Sequence, residues 1–250
     1  MNPQDAPIII KLINLEKSFH GKPILRGVTL DVHEGQTLVI LGGSGEGKSV
    51  LLRHLNGLLT ADKGSVIVRG RDLARLSEEE LAEVRKEVGM VFQLGALFDS
   101  LTVFGNVSYP LREHGGFTEE QISKRVREVL DMVELHKKVE DLYPSEISGG
   151  MKKRVALART IAVQPHVVLY DEPTTGLDPL VSFKISELIR DLQKHLGLTA
   201  VVITHDMKNA FVVADRFAML DQGKVRFTGT PDEARATSDE LMQEFLKAAF

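Results

Sequence analysis

Gly42-Gly43-Ser44-Gly45-Glu46-Gly47-Lys48-Ser49 fits G-x-x-x-x-G-K-[ST] and follows the apolar run Thr37 to Leu41. That order, a buried strand feeding a glycine-rich turn and then a helix starting near Lys48, is what phosphate binding needs. Glycines let backbone N–H groups turn inward, and the helix adds its positive N-terminal end at the same place. Lys48 supplies charge, and Ser49 places a hydroxyl where it can coordinate a Mg²⁺ that bridges terminal phosphates. A second apolar run, Val167 to Tyr170, ends in Asp171-Glu172. Its strand is expected in a parallel sheet beside the one feeding the phosphate loop. Asp171 suits the Mg²⁺ shell, and Glu172 is placed to polarise an attacking water as a general base. A third strand, Val201 to Ile203, leads into Thr204-His205-Asp206, and histidine can sense a phosphate or orient water without being the principal base. Ser148, with the N–H groups of Gly149 and Gly150, reads as the anion-binding start of a helix through Arg154, Ala158 and Ala162.

Taken together, the phosphate loop, the Ile147-Ser148-Gly149-Gly150-Met151 turn and the Asp171-Glu172 pair resemble the ATP-binding-cassette family of ATPases. The turn departs at its first and last positions from the family's usual Leu-Ser-Gly-Gly-Gln, leaving the centre intact. The resemblance implies an α/β P-loop NTPase fold, with a β-rich N-terminal subdomain and a helical insertion. It also implies ATP and Mg²⁺ as ligands. Gly42, Gly43, Ser44, Gly45, Gly47, Lys48 and Ser49 would cradle the nucleotide. His205 would be the histidine contacting the terminal phosphate. Gln93, after the run Val88 to Phe92, matches the glutamine of a coupling loop that reaches Mg²⁺ or the attacking water. Phe19 stands where relatives stack an aromatic ring on adenine. Phe in place of the commoner Tyr keeps the ring face and loses a hydroxyl, and a residue there can equally be core. Asp178 follows Pro173-Thr174-Thr175-Gly176-Leu177 in the family's loop at a dimer seam. By the same resemblance, Ser148, Gly149 and Gly150 bind the nucleotide of a second subunit, so one chain with one set of motifs implies a homodimer.

Within the family, Gly95-Ala96-Leu97-Phe98 and Asn106-Val107-Ser108-Tyr109-Pro110-Leu111-Arg112-Glu113-His114 resemble the Mla/Mce-type lipid-transport ATPases. Val50 after Ser49 and Met151 after Gly150 point the same way. Gly105 and Leu94 depart from that pattern. The resemblance implies phospholipid transport, docking to an integral-membrane permease, and a complex with an Mce-domain lipid-binding protein at the cytoplasmic face of the inner membrane. The alternative within transport is the ATPase of another small-solute transporter. From another class, a soluble regulatory cassette ATPase fits less well. Ala96, Leu97, Phe98, Val103 and Tyr109 could line a partner groove or simply pack the helical lobe.

The elements around these motifs follow from patterning. The expectation is one ABC ATPase domain over residues 1–250, with a helical subdomain over 94–146, where no alternating strand pattern occurs. Ile8 to Leu15, Ile24 to Val32 and Ser65 to Arg69 read as strands, and the phosphate-loop helix reads as running through Leu59. Ser77 with Glu80, and Thr118 with Gln121, have capping-box spacing. Ile122, Val126, Val129, Leu130 and Val133 recur at helical spacing. Phe217 to Leu220 and Val225 to Thr228 read as short strands, and Leu241, Phe245 and Leu246 as one face of a tail helix.

A formal net charge of -4 argues against broad binding to nucleic acid, which leaves a basic footprint. The 250 residues contain no Cys, which excludes disulfides and thiolate chemistry. Met1-Asn2-Pro3-Gln4-Asp5 lacks a charged-then-apolar leader, and no apolar run approaches the ~20 residues of a bilayer span, so a cytoplasmic chain is expected.

Overall fold

The alternating apolar residues of the strands serve two cores at once. In the computed structural model, which describes residues 6–249, the central sheet has six strands in the order β10-β9-β3-β8-β7-β6. These are β3 (Thr37–Leu41), β6 (Val88–Val91), β7 (Val167–Asp171), β8 (Thr199–Ile203), β9 (Arg216–Asp221) and β10 (Lys224–Gly229). All pairings are parallel except β10 with β9. Val39, Leu41, Val168, Tyr170, Ala200 and Val202 face one core, whereas Leu38, Ile40, Val167, Leu169, Val201 and Ile203 face the other. Residues of one strand thus divide by the period of two that a sheet covered on both faces requires.

The second core lies between this sheet and an antiparallel sheet of order β2-β1-β4-β5. Its strands are β1 (Ile8–Phe19), β2 (Lys22–His33), β4 (Lys63–Val68) and β5 (Arg71–Asp72). Helix α1 (Lys48–Leu55) is held between the sheets by Leu51, Leu52 and Leu55. It stops at Leu55, short of the expected Leu59, because the chain turns at Asn56-Gly57, where Gly57 has φ 68°. Helix α2 (Glu78–Glu87) begins at a capping box made by Ser77 and Glu80.

The first core carries α3 (Val103–His114), α4 (Glu119–Met132), α5 (Gly149–Ile161), α6 (Pro179–Leu196) and α7 (Met207–Val213). Residues 94–146 hold α3, α4 and two short 3-10 turns. Thr118 and Gln121 close the capping box of α4, and Ile122, Val126, Val129 and Leu130 form its buried face. The chain ends with α8 (Pro231–Ala236) and α9 (Glu240–Ala249), whose Leu241, Phe245 and Leu246 pack against the first core. Met1–Asp5, where the sequence shows no leader pattern, lie outside the described residues. Among the described residues no helix is long and apolar enough to cross a membrane.

One expectation needs correction. β7 does not lie beside β3, because β8 stands between them and pairs with both. Consecutive strands joined through a helix tend to be neighbours. The β7-α6-β8 connection follows that tendency, and the next one, through α7, passes over β3 to place β9 on its far side. The Asp171 and Ser49 side chains still meet, at 3.1 Å.

Candidate functional site

The carboxyl ends of β3, β7 and β8 open on a common cleft, the usual position for a ligand in an open α/β sheet. It has a volume of about 590 Å³ and is lined by Phe19, Ile24, Ser44, Gly45, Gly47, Lys48, Ser49, Val50, Gln93, Glu172 and His205. The loop feeding it is glycine-rich for steric reasons. Gly47 precedes α1 with φ 94°, and a Cβ there would stand 2.9 Å from Ile24 Cγ2. A Cβ on Gly42, at φ 153°, would collide with the Leu220 carbonyl oxygen. Both positions combine unusual backbone geometry with close neighbours, which glycine alone tolerates.

Lys48 is buried, and its Nζ donates to the carbonyls of Gly42 and Gly43, each at 2.8 Å. Burial lowers its pKa, while Glu172, Glu46 and Asp171 oppose that shift. Ser49 Oγ donates to Asp171 Oδ1 at 3.1 Å. Burial raises the Asp171 pKa, an effect that the Ser49 hydrogen bond and the charges of Arg53 and Lys48 partly offset. The result is a desolvated carboxylate paired with a hydroxyl at the foot of a helix N-terminus, a donor set that fits Mg²⁺ completing its shell with phosphate and water oxygens.

Glu172 holds a left-handed backbone, φ 48°, uncommon outside glycine and asparagine. Its N–H donates to the Ile203 carbonyl at 3.0 Å, anchoring the turn to β8. One carboxylate oxygen accepts from His205 Nδ1 at 2.9 Å, and the other accepts from Thr175 Oγ1 at 3.2 Å. Such backbone strain persists where surrounding contacts enforce it, and it concentrates at reactive centres. Phe19 is 39% exposed at the cleft edge, with Lys17 Nζ 5.6 Å from its ring centroid. Its ring is thus a partly open platform, which decides against the core reading. Gln93 is exposed, and its carbonyl accepts from Lys153 Nζ.

Ser148, Gly149, Gly150 and Asp178 do not line this cleft. Ser148 caps α5 by accepting from Met151 N at 3.3 Å, and Asp178 caps α6 by accepting from Val181 N at 3.0 Å. The two helix starts abut, since a Cβ on Gly150 would lie 2.8 Å from Val181 Cγ1. The single chain therefore assembles the phosphate loop with Asp171, Glu172, Gln93 and His205, and it presents the Ser148 turn and Asp178 as a separate exposed surface.

Three contributors escaped sequence reasoning. Thr175 holds Glu172; Glu46 accepts from Gln222 N and ties the phosphate loop to the β9-β10 turn; and buried Lys153 reaches the Gln93 carbonyl. Only Lys153 left a sequence signal: it shares a helical face with Ala156 and Leu157, where a charge needs a buried partner.

This site and the two-core fold define a nucleotide-binding cassette, and comparison with known proteins agrees. Residues 25–175 match the model of the ABC transporter family, and the chain belongs to that family. It is 47% identical over 221 residues to the methionine import ATP-binding protein MetN of Carboxydothermus hydrogenoformans, a match covering 87% of this chain and 64% of that protein. It is 41% identical over 240 residues to the probable ribonucleotide transport ATP-binding protein mkl of Mycobacterium leprae, covering 96% of this chain and 69% of that protein. The chain thus spans about two thirds of the length of these curated relatives. Among solved structures, the ATP-binding cassette MJ0796, in a dimeric post-hydrolysis state bound to ADP and Pi, superposes with TM-score 0.81 at 34% identity, covering 88% of this chain and 98% of that one. CbiO1 of Clostridium perfringens, part of the ABC transporter complex cbiONQ, superposes with TM-score 0.85 at 30% identity, covering 96% and 95%.

Proposed function

We propose that this chain hydrolyses ATP as the energising subunit of a membrane transporter, acting as a head-to-tail homodimer. Each nucleotide site would combine the cleft of one chain with the Ser148 turn and Asp178 of the other. The observation that carries this reading is the division of the site residues: Lys48, Ser49, Glu172 and His205 line one cleft, with Asp171 bonded to Ser49, while Ser148, Gly149 and Asp178 stand exposed outside it beside the half-buried Gly150. A dimeric cassette structure among the relatives supports it.

Lys48 and the N–H groups of the Gly42–Ser49 loop hold the phosphates, and Phe19 stacks on the base. Ser49, Asp171 and Gln93 would hold Mg²⁺, which would supply charge neutralisation at the terminal phosphates. Glu172 accepts a proton from the attacking water as ATP is cleaved to ADP and phosphate. His205 and Thr175 keep its carboxylate aimed, and His205 is placed to contact the terminal phosphate. Residues 94–146 serve as the helical subdomain of a single ABC ATPase domain. Magnesium-dependent ATP hydrolysis by the purified chain, abolished in Glu172→Gln, is the direct test.

For cargo, the likeness to methionine import ATP-binding proteins favours a small solute such as methionine, taken up through a permease to which this chain binds at the cytoplasmic face. A second reading, lipid transport with an Mce-domain partner, rests on the Mla/Mce-like pattern at Gly95–Phe98 and Asn106–His114. It draws further support from the apolar side chains exposed there: Leu94 is 86% exposed, and the exposed Phe98 and Tyr109 rings meet in a tilted pair with centroids 4.7 Å apart. Reconstitution of the co-purifying permease in vesicles separates the two. ATP-driven methionine uptake supports the first, and ATP-driven transfer of fluorescent phospholipid supports the second.

A further inference from the structure

The loop that follows β6 turns its carbonyls toward α5. Gly95 and Ala96 both hold left-handed backbones, φ 78° and 46°, and the second is not a glycine. The Ala96 carbonyl accepts from Arg159 Nη1 at 2.8 Å and the Gly95 carbonyl from Arg159 Nη2 at 2.7 Å. The Gln93 carbonyl accepts from Lys153 Nζ. A surface loop can satisfy its carbonyls with water. This one spends three on two cations of a single helix, through charge-assisted bonds stronger than neutral ones. Its backbone also rests on that helix, since a Cβ on Gly95 would lie 3.4 Å from Ala156 Cβ.

Helix α5 begins at the Ser148 turn, and Lys153 follows about 8 Å along its axis at the rise of an α-helix. The same rigid element therefore carries the turn offered to a partner's nucleotide and the cations that grip this chain's own Gln93 loop. We propose that Lys153 and Arg159 are positioning residues that fasten the Gln93–Ala96 backbone to α5, so that Gln93 in one nucleotide site moves with the Ser148 turn serving the other. This rests on the dimeric ATPase reading above. It goes beyond it by naming the side chains through which occupancy of one site sets the geometry of the second.

Lys153→Met keeps the buried aliphatic stem and removes the donor. In the full chain it should lower kcat about tenfold with the affinity for a fluorescent ATP analogue unchanged. It should also accelerate amide hydrogen exchange at residues 93–98 by tenfold or more, without lowering the melting temperature. Lys153→Arg should restore both. Arg159→Gln should accelerate exchange at 95–98 in the same way. With ATP and Glu172→Gln in the background, residues 148–151 should gain protection in every variant, whereas 93–98 should gain it only where the donors are intact. Unchanged exchange at 93–98 in the Lys153→Met, Arg159→Gln double variant would overturn the proposal. So would exchange that rises throughout the chain with a lowered melting temperature, because that describes a general packing role. Absence of ATP hydrolysis in the wild-type chain would instead remove the functional reading, and exchange at 93–98 in the nucleotide-free protein would still decide whether the fastening exists.

Discussion

Glu172 and Asp171 are adjacent in sequence yet have different partners, His205 and Thr175 for the first and Ser49 for the second. Glu172 is held by His205 and Thr175 at the cleft, with its pair of oxygens divided between them. Replacing it with Gln preserves size while removing the base, so turnover should fall by about 10²-fold or more with ATP binding retained. Steady-state hydrolysis measured beside nucleotide affinity checks this, and near-normal turnover would remove Glu172 from the role. Lys48→Ala should weaken binding itself, since a phosphate-neutralising charge is lost. Asp171 also bears on stability. Burial raises its pKa, so the folded state favours the neutral acid, and that contribution to stability is lost as pH rises through the folded pKa. At neutral pH the ionised group is a net cost to the nucleotide-free fold. Asp171→Asn should therefore raise the melting temperature, by about 2–4 °C for each kcal/mol relieved, while abolishing Mg²⁺-dependent hydrolysis. A melting temperature that falls would show that the Ser49 hydrogen bond outweighs desolvation.

Helix starts and a single loop organise the next level up. Gly150 leaves room for Val181 where α5 meets α6, and Gly150→Ala would force a 2.8 Å approach against a side chain at the start of a rigid helix. Overpacking of this kind costs about 1–3 kcal/mol, readable as a shifted denaturation midpoint, and the displaced Ser148 turn should lower ATPase activity as well. In the loop after β6, Leu97 packs against the first core, whereas Leu94 projects into solvent and Phe98 is part-exposed against Tyr109. By sequence Leu97 and Phe98 are equivalent, as partner contacts or as packing; burial separates them. Asn106 explains why the loop keeps its shape. It accepts from Phe98 N at 2.8 Å, and its amide donates to the carbonyls of Phe98, Leu101 and Thr102. Leu97→Glu should thus destabilise the chain, and Leu94→Glu should leave stability and basal hydrolysis intact while weakening permease binding, because a charge would then be desolvated against the docked partner. Pull-down of the permease together with thermal melts distinguishes the two, and unaltered binding by Leu94→Glu would take this surface out of the interface.

At the scale of the molecule, the exposed Ser148 turn and the cleft lie apart on one chain, and in the proposed dimer they would serve different sites. A Ser148→Arg chain mixed with a Lys48→Ala chain should regain nucleotide-dependent closure at one composite site, where Lys48 of the first meets Ser148 of the second. Neither mutant homodimer has such a site. Proven heterodimers without recovery would place each nucleotide site within a single chain. The cassette family was legible from the Gly42–Ser49 loop, the Ser148-Gly149-Gly150 turn and Asp171-Glu172, because phosphate and water chemistry demand particular residue types at short local spacings. The covered strands β3, β7 and β8 and the capped helices α2 and α4 were legible for the same kind of reason, since apolar periodicity and capping boxes act within a few residues. The cargo was not legible to the same depth. The pattern after Gln93 resembles lipid-transport ATPases, whereas relatives are named for methionine import and probable ribonucleotide transport, and an energising subunit need not touch what is carried. Tertiary structure alone decided that β8 lies between β3 and β7, that Thr175 and His205 share Glu172, and that Lys153 and Arg159 hold the Gln93 loop. Each of these depends on which backbone groups distant segments leave to be paired once the two cores have closed. Sequence sets the chemistry each segment can offer, and only packing determines which offers meet.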